Sequence, residues 1–257
     1  MPLTFDRYRA EIVAQARLLA QHVDGADPTT RVPSCPEWTV GQLLRHVGAG
    51  LRWVAEIVAT RADGPLPDDA LRHLDDYRDH APGPLAEEVV AAAGALSEAL
   101  GEAGETAAVW TVVPGRTPLF WARRFTHELV VHRADAALAV GARYELDPAV
   151  AADALDEWLE LLSLPVMFEI RPELRELLGP DRTLHLHATD HPGAEWVVDL
   201  TGDAIAWRHA HEKSAVAARG PLRDLLLTVY RREQATALDV VGDRALLDFW
   251  LDRVSFG

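Results

Sequence analysis

Histidine, glutamate and histidine fall within the six residues HELVVH, positions 127 to 132, a set of side chains able to bind a divalent metal. In the zinc-binding pattern HExxH the two histidines lie four apart on one helix face, and the glutamate between them acts as a base. Here the histidines are five apart. A helix turns about 100° per residue, so residues four apart lie within about 40° of each other and residues five apart are separated by about 140°. His127 and His132 therefore cannot face one metal, whereas Glu128 and His132 can. The same projection puts Trp121 and Phe125 beside this pair, with Arg124 and Asp135 on its flank. Arg133 points about 100° away from His132. Taken alone, Glu128 and His132 read as a structural ion pair; a third donor would turn them into a ligand set. The second helix offers His46 for that place. It projects just outside the apolar stripe of Leu43, Leu44, Val47, Leu51, Val54 and Val58, in line with Gly50, which leaves space one turn later. By itself His46 reads as a core histidine.

The elements that must carry these residues are helical. Phe5 to Val23 repeats apolar residues at helical spacing through Ile12, Ala16, Leu19 and Ala20. After SCPEWT a second helix should begin, with Thr39 as N-cap and Gln42 completing a capping box. PGPLAEEVVAAAGALSEALGEAGE supplies a third, Thr117 and Pro118 open a fourth that carries ELVVH, and a fifth runs from about Pro148 to Leu162. Beyond GPDRTLHLH the texture changes. TLHLHATD, EWVVDLTG and DAIAWRHAH read as strands of an antiparallel meander, and helices over Leu222–Arg232 and Asp243–Val254 complete the unit. The expected fold class is α+β: a four- or five-helix bundle over residues 1–165, then a small antiparallel-sheet-plus-helices domain over 182–257. PVMFEIRPELRELLGPDR, rich in proline and charge, lies between them.

Composition narrows the function classes. The 257 residues are 49% hydrophobic, ample for a packed core. A formal charge of -15 argues against nucleic acid or anionic membrane as partner, since phosphate contacts need a basic face. No stretch reaches the roughly 18 unbroken apolar residues of a membrane span, and MPLTFDRYRAEIVAQ lacks a signal peptide's charged start and apolar run, so the expected location is cytoplasmic. One cysteine, Cys35, excludes an internal disulfide and a zinc site of several protein thiolates. A single lysine among 25 basic residues suggests a genome rich in G and C.

Two stretches, VPSCPEWTVGQLLRHVGAGLRWV and RTPLFWARRFTHELVVHRADAALAVG, resemble the mycothiol-dependent maleylpyruvate isomerase family of actinobacteria, whose N-terminal part is a DinB-like helical bundle. LHLHATD, RGPLRDLLLTVYRR and VVGDRALLDFWLDRV are similar to that family's small C-terminal domain. The resemblance implies a divalent metal, typically zinc, held by His46, Glu128 and His132, with a coordination position left for the thiol of mycothiol. It implies isomerisation of a cis diacid by thiolate addition, bond rotation and elimination, or a thiol transfer. It also implies cations for the substrate's carboxylates. Arg124, one turn before Glu128, is the catalytic candidate, and Arg231 and Arg232 are candidates from the C-terminal domain by position only. A non-catalytic protein of the same fold, binding a metal or small ligand, is the alternative.

Two further signals read as structural. Cys35, near the start of the second helix, reads as loop packing in SCPEW rather than as a nucleophile. His185 with His187, and His209 with His211, lie on like faces of neighbouring strands and read as solvated histidines on an exposed sheet face, because no carboxylate recurs at matching spacing. Phosphate loops, nucleophile elbows and dinucleotide fingerprints are absent from the sequence.

Overall fold

Thr4 accepts a hydrogen bond from the Arg7 amide and so starts α1, Phe5–His22, whose buried stripe is Tyr8, Ile12, Ala16 and Leu19. In this computed structural model residues 2–255 are described apart from Pro114, and the side chains of Ala70 and Arg72 are also left aside. A short antiparallel pair follows, β1 (Arg31–Val32) with β2 (Cys35–Thr39). It hands over directly to α2, Val40–Thr60, at the expected cap: Thr39 Oγ1 accepts from the Gln42 amide, and Gln42 Oε1 accepts from the Thr39 amide. All six residues of the predicted stripe, Leu43 through Val58, are buried. After the four-residue α3 (Asp69–Arg72), the helices α4 (Pro82–Ala103) and α5 (Pro118–Val140) open with proline in the first turn. Gly141 ends α5 in the left-handed conformation, at φ 67°.

These elements form one compact unit, Pro2–Tyr144, in which α2 packs on α4, and α1 on both α4 and α5. A buried polar chain fixes α5 against α1. Arg133 Nε donates to Gln15 Oε1 at 2.7 Å, Gln15 Nε2 donates to Glu11 Oε2 at 2.9 Å, and the Arg133 guanidinium lies 4.2 Å from the Tyr144 ring centre. The sideways projection of Arg133 is thus a structural one, away from His132.

The second unit runs from Glu145 and contains α6 (Pro148–Leu162), α7 (Met167–Ile170), α8 (Leu222–Val229), α9 (Arg244–Val254) and a sheet. Helix α6, which the sequence groups with the bundle, packs with α8 here, and Trp158 of α6 meets the Tyr230 ring at 4.5 Å. The sheet has five strands: β3 (Thr183–Ala188), β4 (Glu195–Asp199), β5 (Ala206–Arg208), β6 (Val216–Gly220) and β7 (Asp239–Gly242). Their order is β5-β4-β3-β6-β7. The expected meander is its first half. The sheet as a whole is mixed, because β6 pairs with β3 in parallel. VAARG and DVVG carry too few large apolar residues to stand out as strands by pattern. No described helix is long and apolar enough to cross a membrane.

Candidate metal centre

Helices α2 and α5 bring together the three residues singled out by helical projection. The rings of His46 and His132 lie 5.3 Å apart, nearly perpendicular, and His132 Nε2 is 3.3 Å from Glu128 Oε2. Glu128 keeps 40% of its side chain exposed, so the group opens to solvent on one side. Behind His132 stands Asp135, fully buried, whose Oδ2 is 2.9 Å from His132 Nδ1. Asp135 is held in turn by Ser34, whose hydroxyl donates to Oδ1 at 2.5 Å from the turn between β1 and β2. The chain of contacts Ser34, Asp135, His132 sets the orientation of the imidazole: Nδ1 is turned to the Asp135 carboxylate and Nε2 faces Glu128.

The electrostatics divide the two imidazoles. Burial pushes the His46 pKa down to about 4, the positive His132 adds to this, and Glu128, the Leu71 backbone and Asp135 oppose it. His46 is therefore neutral near pH 7. For His132, burial also disfavours the charged ring, but the hydrogen bonds to Asp135 and Glu128 overcome it and raise the pKa to about 9. Burial would raise the Glu128 carboxyl; Arg124 first, then His132 and His46, hold it well below the usual carboxylate range.

Other sequence candidates take more definite places. Arg124 Nε lies 3.2 Å from Glu128 Oε1, so this arginine orients the carboxylate as well as offering charge. His127 is buried edge-on to Tyr8 at 6.3 Å, on the α1 side of its helix, and drops out as a ligand. Gly50 does not leave an empty space beside His46. A side-chain carbon there would stand 3.3 Å from Phe125 Cε1, so the glycine admits that ring. The aromatic neighbour that projection missed is Trp38 of β2, 4.8 Å from the His46 ring. Cys35 is partly buried at the edge of the core. In the second unit, Arg231 pairs with Asp252 at 3.0 Å, and Arg232 donates to the Tyr230 carbonyl at 2.7 Å.

The histidines of the sheet are not the solvated pairs expected from the sequence. Strand β4 separates β3 from β5, and His209 and His211 lie past the end of β5. Register supplies the carboxylate that spacing had hidden: Glu195 stands opposite His187. His185, His187 and His211 all point a ring nitrogen at Glu195 Oε2, at 2.9, 2.9 and 2.6 Å. His185 is buried, and burial lowers its pKa against the pull of Glu195. Among the described residues, this is the group whose donor atoms already lie within 4.8 Å of one another; the helical trio is looser. An open cavity of about 560 Å³ in the same unit is lined by Glu145, Asp147, Asp190 and Arg223, with none of these histidines on its wall.

Residues 9–137, just over half of the chain and the part that contains His46, Glu128 and His132, match the family described as mycothiol maleylpyruvate isomerase N-terminal domain. Two crystal structures are similar over 93% of both chains: mycothiol-dependent maleylpyruvate isomerase, at 14% identity and a TM-score of 0.62, and a histidine-to-alanine mutant of it, at 13% identity and 0.62. No curated protein matches the sequence. At these identities the structures establish a shared fold, a helical bundle of DinB-like type followed by a small sheet unit. With the bundle matched along α1 to α5, the chain belongs to the mycothiol maleylpyruvate isomerase family.

Proposed function

We propose that the chain is a divalent-metal-dependent enzyme that uses mycothiol, acting as a cis-trans isomerase of an unsaturated diacid or as a thiol transferase. The observation that carries this reading is the facing of His46, Glu128 and His132 across α2 and α5, with Asp135 orienting one imidazole. The likeness to mycothiol-dependent maleylpyruvate isomerase supports the thiol and the reaction class.

The residues fit a metal. Burial keeps the His46 ring neutral near pH 7, so it has a nitrogen lone pair to offer an ion. Two imidazoles bound tetrahedrally at about 2.0 Å place their ring centres about 5.2 Å apart. The separation of His46 and His132 is 5.3 Å. Two imidazoles and one carboxylate suit zinc and neighbouring ions, and His46, Glu128 and His132 would hold the ion. When bound, it supplies the positive charge that keeps a thiol deprotonated at neutral pH.

The chain's own residues prepare the rest. Asp135 keeps a proton on His132 Nδ1, so that Nε2 is the nitrogen presented toward Glu128. Arg124, with Nε 3.2 Å from Glu128 Oε1, places a positive charge beside the carboxylate and so favours an anionic substrate near the site. Trp38 covers one side of His46 and limits water there.

Elemental analysis of purified protein, beside the His46→Ala and Glu128→Ala variants, tests the metal. Each variant should lose about one ion per chain and at least about 100-fold in turnover. Unchanged metal content in both variants sinks the ligand assignment. Titration of mycothiol into metal-loaded protein tests the thiol, and no binding at millimolar concentration removes it.

A further inference from the structure

Strand alternation turns Leu184 and Leu186 of β3 into the core and sends His185 and His187 to the opposite face. Antiparallel register then sets Glu195 beside His187, and the irregular stretch that follows β5 returns His211 over the same face. We propose that His185, His187, Glu195 and His211 form a second divalent-metal site, a closed tetrahedral centre of three imidazoles and one carboxylate that fastens the stretch after β5 to the sheet.

Three observations carry this. Three ring nitrogens converge on one carboxylate oxygen, Glu195 Oε2, at 2.6 to 2.9 Å. A carboxylate oxygen has two lone pairs in its plane, so three donors exceed what it can accept with ordinary geometry. Convergence of three imidazoles on one point is what a cation organises.

The rings also stand at the right mutual distances. Their centres are 5.5, 5.4 and 5.6 Å apart, all three close to the roughly 5.2 Å of imidazoles sharing a tetrahedral zinc. For an ion to enter, Oε2 retreats by about 2 Å, one metal–oxygen bond, and becomes the fourth vertex.

The third observation is His211 itself. It is 75% exposed and sits on a stretch with no regular structure, yet its ring is turned inward. An exposed side chain gives up rotamer freedom only for a contact that repays it. The residue two before it, His209, is fixed separately: Nδ1 lies 3.0 Å from the Glu195 carbonyl oxygen and Nε2 3.1 Å from Asp156. This anchor delivers His211 to the cluster and explains why His209 is not part of it.

Imidazole donors select zinc, nickel or copper over magnesium and calcium, and with four protein ligands the centre is structural rather than catalytic. Metal binding then adds directly to the stability of the sheet unit.

The test uses the full chain carrying His46→Ala and Glu128→Ala, which empties the helical trio and leaves the sheet intact. After chelation and dialysis, zinc is titrated in, and cobalt is used in parallel for its tetrahedral absorption bands. The expected result is about one tightly bound ion per chain with intense cobalt bands, and a loss of affinity of at least about 10-fold on adding His211→Ala. His211 is exposed, so this variant folds. Glu195→Gln, which keeps a hydrogen-bond acceptor, should also weaken binding, while His209→Ala should keep the tetrahedral bands. Absence of zinc binding in the starting variant, or binding and bands unchanged by His211→Ala, overturns the proposal. Neither result bears on the helical trio, whose own variants report on it separately.

Discussion

The bundle and the sheet each gather imidazoles around a glutamate, and they do it by opposite means. In the bundle, one helix supplies Glu128 and His132 four residues apart, a second supplies His46, and a buried carboxylate behind His132 holds its ring in place. In the sheet, no two of the four residues are spaced by a helix turn, and one carboxylate oxygen serves three rings at once. The bundle group is braced from behind and open in front; the sheet group is closed on itself. Three donors with an open side suit a place where a ligand must enter, and four donors suit a fastening.

The sharpest way to break this contrast is to remove the brace. Asp135→Ala leaves the His132 Nδ1 proton and the Ser34 hydroxyl without their partner in a fully buried place. Metal affinity of the bundle group should fall by about 10- to 100-fold. Zinc held by the sheet residues should be unaffected, as read by titrating Asp135→Ala with and without His211→Ala. An equal loss in both places would show that the brace is general scaffolding.

A smaller effect separates the two groups by pH. His132 has a folded pKa raised from 6.5 to about 9, so its contribution to the stability of the metal-free protein is complete below pH 6.5 and is lost as pH rises through 9. His185 has a lowered folded pKa, so its contribution is present above pH 6.5 and lost as pH falls. Urea midpoints of chelated protein should therefore decline between pH 6.5 and 9, and the decline should shrink in His132→Asn. A slope unchanged by that variant would assign the titration elsewhere.

The smallest effect concerns Ser34. Losing its hydroxyl should cost about 1 kcal/mol, the ordinary worth of a hydrogen bond, and weaken metal binding less than Asp135→Ala does. In a double-mutant cycle the two changes should be clearly non-additive, since Ser34 acts through Asp135. Additive losses would show that Ser34 does not act through Asp135.

Why the bundle was easier to read than the sheet follows from the range of each interaction. The stripe on α2, the Thr39 cap and the ELVVH pair depend on residues three or four apart, and helical projection finds them from sequence alone. Asp135 was visible on the flank of Glu128 and His132, but its role needs Ser34, which is 101 residues distant. Gly50 reads in the sequence as a missing side chain, but not what takes its place: Phe125 comes from another helix to fill the space. In the sheet, Glu195 meets His187 through the register of β3 on β4, which a strand's own sequence does not state. The signal that could have found it is the HLH of β3 followed by a glutamate at the start of the next strand, read as a hairpin rather than as separate faces.

The parallel pairing of β6 with β3 bears on the order of assembly. Strands β3, β4 and β5 are joined by short connections and need only neighbours along the chain, whereas after β5 the chain must travel back past β4 and β3 for β6 to close on the far edge of β3. Closing the longer loop costs more chain entropy before any contact rewards it. The three-strand hairpin series is thus expected to form first. His185, His187, Glu195 and His211 all belong to residues 185–211, so their gathering does not wait for the rest of the sheet. A zinc ion present during refolding would then act on an early element and quicken the folding arm of the kinetics, in addition to slowing the unfolding arm.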